Sequence, residues 1–247
     1  KAFMIMIIIF ALLVMTFSKH FTSLRENRDL RLYINPSYYL YSFIKYVDVK
    51  FDTSITPFSQ IGLDAKINKQ TNKQRLLVLV LGEAARMDRF SLNGYIRQTN
   101  PILENKNVLS FRHMTSCGTD TSWSVPCMFS SLNRSNYNHK EGKNMSNVLD
   151  IISHAGVKVL WLANNSNSKG VADSVSQIDF TQEEFCRLIH VECHRDEGLI
   201  VGLQDYLYLH SNKDMLIVLH TLGSHGPSYY KMYPDSFEIF TPTCQTH

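Results

Sequence analysis

The sequence predicts a doubly wound α/β/α sandwich preceded by a membrane helix and an amphipathic connector, and three observations carry that expectation. The run at 76–82 is continuously aliphatic, of the kind buried on both faces of a parallel sheet, and 157–162 and 215–219 read as two further strands. Each run empties into a polar loop: Glu83-Ala84-Ala85-Arg86, then Asn164 with Asn165, Ser166, Asn167, Ser168, Lys169 and Gly170, then His220 through Gly226 and Pro227. Ahead of the second run, residues 146–155 carry a helical apolar face of Val148, Leu149, Ile151 and Ile152, with Ser146 as the cap and Gly156 as the stop. Strand, polar loop and helix recurring in this way make a parallel sheet with helices on both sides.

In chain order, residues 2–17 are apolar apart from Thr16 and close on Ser18-Lys19-His20. That run is slightly short of the roughly 18–20 residues a bilayer helix needs, and no small-x-small cleavage site follows it. Residues 1–18 are therefore expected to be part of a transmembrane helix. Residues 19–74 form a connector in which Arg25, Arg28, Arg31 and Lys45 are interleaved with Tyr33, Tyr38, Tyr39, Tyr41, Phe43 and Tyr46. Aromatic rings and snorkelling cations suit a bilayer interface, and the same rings would equally pack on a following domain. Asn35-Pro36 divides this stretch into two helical pieces, and the polar segment 60–74 leads into the domain at 75–247.

A chain of 247 residues with 44% hydrophobic content can bury a full core. Its net charge of +3 is too small to argue for nucleic acid or another strongly charged partner. Cys117 with Cys127 and Cys186 with Cys193 form two sequence-local pairs, whereas Cys244 has no neighbour. Local pairs point to disulfides and an oxidising compartment; structural zinc sites favour shorter ligand spacings. Cys244 is then either a free thiol or a half-cystine whose partner lies outside these residues.

Between Cys117 and Cys127 runs a hydroxyl-rich loop, Gly118-Thr119-Asp120-Thr121-Ser122-Trp123-Ser124, that enters an apolar segment at Val125-Pro126. Proline is tolerated in a helix's first turn, so a helix should begin around 122–125 with Thr121 near its amino end, where backbone N–H groups and the dipole favour a phosphate. A simple capped helix would use the same hydroxyls only to satisfy orphan donors. The polar strand ends tip the balance, because ligands of open α/β sheets bind at the carboxyl edge. Glu83 could ligate a hard metal or act as a base, Lys169 could bind phosphate as a point charge, and His225 could orient or protonate a leaving group. His220, at a strand end, reads as a satisfied core histidine. A threonine hydroxyl needs help to lose its proton, and a divalent metal supplies it.

Together, Gly82-Glu83-Ala84-Ala85-Arg86, the Cys117–Cys127 segment, Asn164-Asn165-Ser166 with Ser168-Lys169-Gly170-Val171, and Leu219-His220 with Gly223-Ser224-His225-Gly226-Pro227 resemble the phosphoethanolamine–lipid A transferases, which include the mobile colistin-resistance enzymes. The resemblance implies an alkaline phosphatase-like fold, here incomplete at its carboxyl end, in a zinc-dependent enzyme of the bacterial inner membrane with a periplasmic catalytic domain. By it, Glu83 is a zinc ligand, and Thr121 is a ligand and the nucleophile that accepts phosphoethanolamine from phosphatidylethanolamine and passes it to lipid A. Asn165, Lys169 and His225 then bind the transferred group, Cys117–Cys127 and Cys186–Cys193 are disulfides, and Cys244 pairs with a cysteine beyond residue 247.

The family's Asp-His-Gly segment, with two further zinc ligands, does not occur in these residues, so the 247-residue chain is expected to lack a complete metal site and to be inactive alone. Asp120 places a charge beside the incoming phosphate where a neutral residue is expected, which should slow the first step unless the carboxylate points away. A transferase acting on another envelope acceptor, a sulfatase or phosphatase of the same superfamily, and a non-catalytic remnant are the competing readings. The threonine nucleophile counts against a sulfatase, whose nucleophile is a Cys or Ser in a Cys-x-Pro-Ser-Arg context.

Overall fold

The computed structural model describes residues 57–68, 73–182, 195–226 and 229–243, with Tyr39, 42–44, 46, 47 and Cys186. The chain divides into two compact units, Lys1–Ile55 and Thr56–His247. In the first, the described residues are helical and expose Tyr39, Phe43, Ile44 and Tyr46. The expected membrane helix and the Asn35-Pro36 break lie outside the described residues. Among those described, no helix is long and apolar enough to cross a membrane.

The second unit is built on four strands: β1 (Leu76–Leu81), β2 (Lys158–Ala163), β3 (Ser176–Asp179) and β4 (Met215–His220). They lie side by side in the order β1-β4-β2-β3, every pairing parallel, with Leu81 and Ala163 flanking His220 in register. The named helices are α1 (Pro101–Glu104), α2 (Thr121–Phe129), α3 (His139–Lys143), α4 (Val148–His154) and α5 (Leu203–Leu209). Val125 and Phe129 of α2 and Leu149 of α4 cover one face of the sheet, against Val159, Trp161, Leu216 and Val218. On the other face, Leu199, Leu203, Tyr206 and Leu207 cover Leu160, Leu162, Ile217 and Leu219. Alternate residues of β2 and β4 thus enter two different cores, which is why residues 159–163 and 215–219 carry no polar side chain apart from the Trp161 indole N–H.

Four local expectations change. β1 has the most aliphatic run, yet Leu76, Leu77, Val78, Leu79 and Val80 are 37–63% exposed and only Leu81 is buried. The reason is position: β1 is an edge strand, hydrogen-bonded to β4 alone among the described residues. The cap of α4 is Asn147 rather than Ser146. Asn147 accepts from Leu149 N at 2.8 Å while Asp150 accepts from Asn147 N at 2.7 Å, a reciprocal capping box that Ser146 stands one residue too early to make. Ser146 instead accepts from Ile61 N at 3.3 Å. Helix α2 starts at Thr121, earlier than the proline rule implies, so Pro126 lies in its second turn. Finally, Ser176–Asp179 is a strand that the sequence pattern does not predict, an exposed edge with no aliphatic run.

Candidate active site

Glu83 follows β1 by one residue, and the loop after β4 is clamped onto its backbone. Thr221 donates to the Leu81 carbonyl through both N and Oγ1, each at 3.1 Å, and Ser224 N reaches the Glu83 carbonyl at 3.4 Å. Gly223 makes this approach possible: its φ is 52°, and a Cβ there would stand 3.2 Å from the Glu83 carbonyl oxygen. Ala84 is held at φ 51° immediately after Glu83, a left-handed conformation that costs a non-glycine residue energy and that the surrounding clamp must maintain.

Helix α2 brings its first residue, Thr121, to the same place. Asp120 is its N-cap and accepts from Ser122 N at 2.7 Å, so one of its carboxylate oxygens is turned onto the helix rather than left free beside Thr121. The Cys117–Cys127 disulfide forms as expected and ties the loop to the helix, with Cα atoms 6.2 Å apart. Replacing both cysteines by alanine frees a loop with a sequence separation of 10 and should cost about 2–3 kcal/mol, read as a lower urea midpoint. Cys186 is also disulfide-bonded, and Cys193 and Cys244 lie outside the described residues.

Four of the five sequence-derived residues meet at one carboxylate. Thr121 Oγ1 donates to Glu83 Oε2 at 2.9 Å, and Asn165 Nδ2 donates to the same oxygen at 3.0 Å. His225 Nδ1 stands 3.8 Å from the other oxygen, Oε1, with a side chain 55% exposed. Lys169 is in the loop after β2 at φ 58°, its N–H bonded to Asn167 Oδ1 at 3.1 Å, and its ammonium has no partner among the described residues. It is near enough to act on His220 electrostatically.

Two further residues organise this end of the sheet. Asp196 accepts from Asn164 Nδ2 at 2.9 Å, Leu222 N at 2.7 Å and Gly223 N at 3.0 Å, joining the loops after β2 and β4. No sequence signal marked it, since a lone Asp distant in sequence from both loops carries no pattern. His220 is 1% exposed, as a core histidine should be, but it is not satisfied: neither ring nitrogen has a partner among the described residues. Its ring packs edge-on against Trp161 at 5.4 Å.

Burial pushes the His220 pKa down, aided by Lys169 and opposed by Glu83 and Asp196. With the folded pKa below the unfolded value of about 6.5, the unfolded chain binds the proton first, so stability present above that pH declines below it. Thermal denaturation from about pH 7.5 to about pH 5 should show a falling Tm, and His220→Phe should flatten part of that slope.

The arrangement can hold part of a metal shell. Thr121 Oγ1 and Glu83 Oε2 are hard oxygen donors 2.9 Å apart, the donor type a divalent cation takes. The described residues contain no group of three or more His, Cys, Asp or Glu able to hold a metal.

Residues 75–247 match the sulfatase family model, and residues 1–51 match a model described as phosphoethanolamine transferase EptA/EptB. The chain is 41% identical over 244 residues to the phosphatidylethanolamine transferase Mcr-1 of Escherichia coli, covering 94% of this chain and 45% of that protein. It is 40% identical over 249 residues to phosphoethanolamine transferase EptA of Salmonella typhimurium, covering 99% of this chain and 45% of that one. The solved integral membrane protein lipooligosaccharide phosphoethanolamine transferase A from Neisseria meningitidis superposes with a TM-score of 0.75 at 36% identity, over 96% of this chain and 44% of that one. The chain thus spans less than half the length of these relatives. It belongs to the sulfatase family, and these relatives within it are phosphoethanolamine transferases.

Proposed function

We propose that the full-length protein transfers phosphoethanolamine from phosphatidylethanolamine to lipid A through a phosphoethanolaminylated Thr121, and so confers polymyxin resistance. The observation that carries this reading is the convergence of the Thr121 hydroxyl and the Asn165 amide on one oxygen of Glu83, at the carboxyl edge of a parallel sheet. The names of the relatives support the transferred group, and the resemblance of the motifs supports donor and acceptor.

In the first half-reaction, Thr121 Oγ attacks the donor phosphorus, forming the Oγ–P bond as the bond to the diacylglycerol oxygen breaks. Glu83 accepts the hydroxyl hydrogen bond and takes that proton as the Oγ–P bond forms, and Asn165 fixes the carboxylate oxygen that does so. Lys169 offers its ammonium to the phosphoryl oxygens, and His225, at the exposed rim, protonates the departing alkoxide. In the second, an acceptor hydroxyl forms the new O–P bond as the Thr121 Oγ–P bond breaks; its proton restores His225, and Glu83 returns the threonine proton. Zinc, held in part by Glu83 and Thr121, would lower the hydroxyl pKa and polarise the phosphoryl oxygen. The proposed setting is the inner membrane, with unit Thr56–His247 on the periplasmic side.

The test is mass spectrometry of lipid A from cells expressing the full-length protein, beside the Thr121→Ala variant. Phosphoethanolamine should be added by the first and absent with the second. Modification that persists in the variant would rule out Thr121 as the carrier.

A further inference from the structure

Asp196 opens a short 3-10 helix, Asp196–Ile200, whose Leu199 is buried against Leu160, Leu162, Ile217 and Leu219 on the face of the sheet away from α2. The carboxylate is therefore carried by an element seated on the core, while the groups it binds belong to the two loops that supply site residues. Oδ1 accepts from Asn164 Nδ2 at 2.9 Å and from Leu222 N at 2.7 Å, and Oδ2 accepts from Gly223 N at 3.0 Å.

Each of these contacts stands close in sequence to a side chain that faces Glu83. Asn164 is the neighbour of Asn165, whose amide reaches Glu83 Oε2 at 3.0 Å. Leu222 begins a turn closed by His225 N, which donates to the Leu222 carbonyl at 3.1 Å, and His225 Nδ1 stands 3.8 Å from Glu83 Oε1. Gly223, at φ 52°, brings no side chain that could anchor this turn. The Ser224 N–H bond to the Glu83 carbonyl is long, at 3.4 Å, whereas the two amides on Asp196 make shorter bonds to a carboxylate, the stronger kind of acceptor.

We propose that Asp196 is a positioning residue for the transfer reaction: it fixes the turn that carries His225 against the Asn164–Asn165 loop, and so sets where the imidazole stands at Glu83. The inference rests on the proposed function and adds to it a residue that acts through His225 without touching substrate. A displacement of about 1 Å in such a group can cost about 10²-fold in rate.

Asp196→Asn isolates this role. Two donors face Oδ1 and one faces Oδ2, so the amide keeps its oxygen towards Asn164 and Leu222 and turns its NH2 on the Gly223 N–H. The link to the Asn165 loop survives, and the turn leading to His225 exchanges a hydrogen bond for two opposed donors.

In the full-length protein, formation of phosphoethanolaminylated Thr121 from phosphatidylethanolamine is timed by peptide mass spectrometry, well below each variant's Tm. Asp196→Asn should load about tenfold or more slowly than wild type. In a His225→Ala background the same change should matter less than about twofold, because the two act through one group. Amide hydrogen exchange over 221–226 should quicken in Asp196→Asn while β2 keeps its protection. Loading within about twofold of wild type, an equal fall with and without His225, unaltered exchange over 221–226, or a variant that does not fold would each overturn the assignment and leave the transferase reading intact. Failure of the wild type to load Thr121 would instead sink the transferase reading, and this inference with it.

Discussion

Glu83→Gln in the full-length protein should lower phosphoethanolamine transfer by about 10²–10³-fold or more with little change in thermal stability. The amide matches the carboxylate in size, so the clamp of Thr221, Gly223 and Ser224 on the local backbone survives. What is lost is charge. Glu83 Oε2 accepts from Thr121 and Asn165 together and Oε1 faces His225, so one negative group orients the nucleophile and two flanking side chains. A neutral amide still accepts hydrogen bonds, but more weakly, and is a far poorer ligand for a divalent cation. Zinc content measured on the purified variant should fall in parallel with loading of Thr121. Near-normal loading with near-normal zinc would remove Glu83 from the reaction.

The site was more legible than the fold around it, for a physical reason. Strand ends that carry Asn165 and His225 follow runs whose composition two buried faces dictate, so β2 and β4 and the loops after them stand out. Composition alone does not reveal position in the sheet, and β1, with an equally aliphatic run, proves to be an edge strand. β3 was missed because an exposed edge does not require apolar residues. Asp196 and the unsatisfied ring of His220 were invisible for another reason: their meaning depends on contacts with Asn164, Leu222 and Trp161, which are brought near only by the tertiary structure. Pro126 misled by one turn, because the Asp120 cap and the Cys117–Cys127 bond fix the start of α2 more firmly than proline's missing N–H does.

Trp161→Ala should be the most destabilising single change among the described residues, at about 3–5 kcal/mol, a large part of the roughly 5–15 kcal/mol that holds a typical domain together. Trp161 is 0% exposed and sits between Phe129 at 5.5 Å and His220 at 5.4 Å, both edge-on, so its removal leaves a void between α2 and the sheet. The consequences separate with Trp161→Phe. That variant keeps a ring against both neighbours and deletes an indole N–H that is buried without a partner among the described residues. Losing an unsatisfied donor offsets some of the lost contact area, so its cost should stay below about 1.5 kcal/mol. Urea midpoints of both variants measure this directly. Loading of Thr121 should fall with the alanine variant even where the protein remains folded, because α2 then loses the contact that sets its distance from Glu83. If the alanine variant costs under about 1 kcal/mol, this face of the sheet can collapse around the void, and the position of Thr121 rests on the Asp120 cap and the disulfide instead.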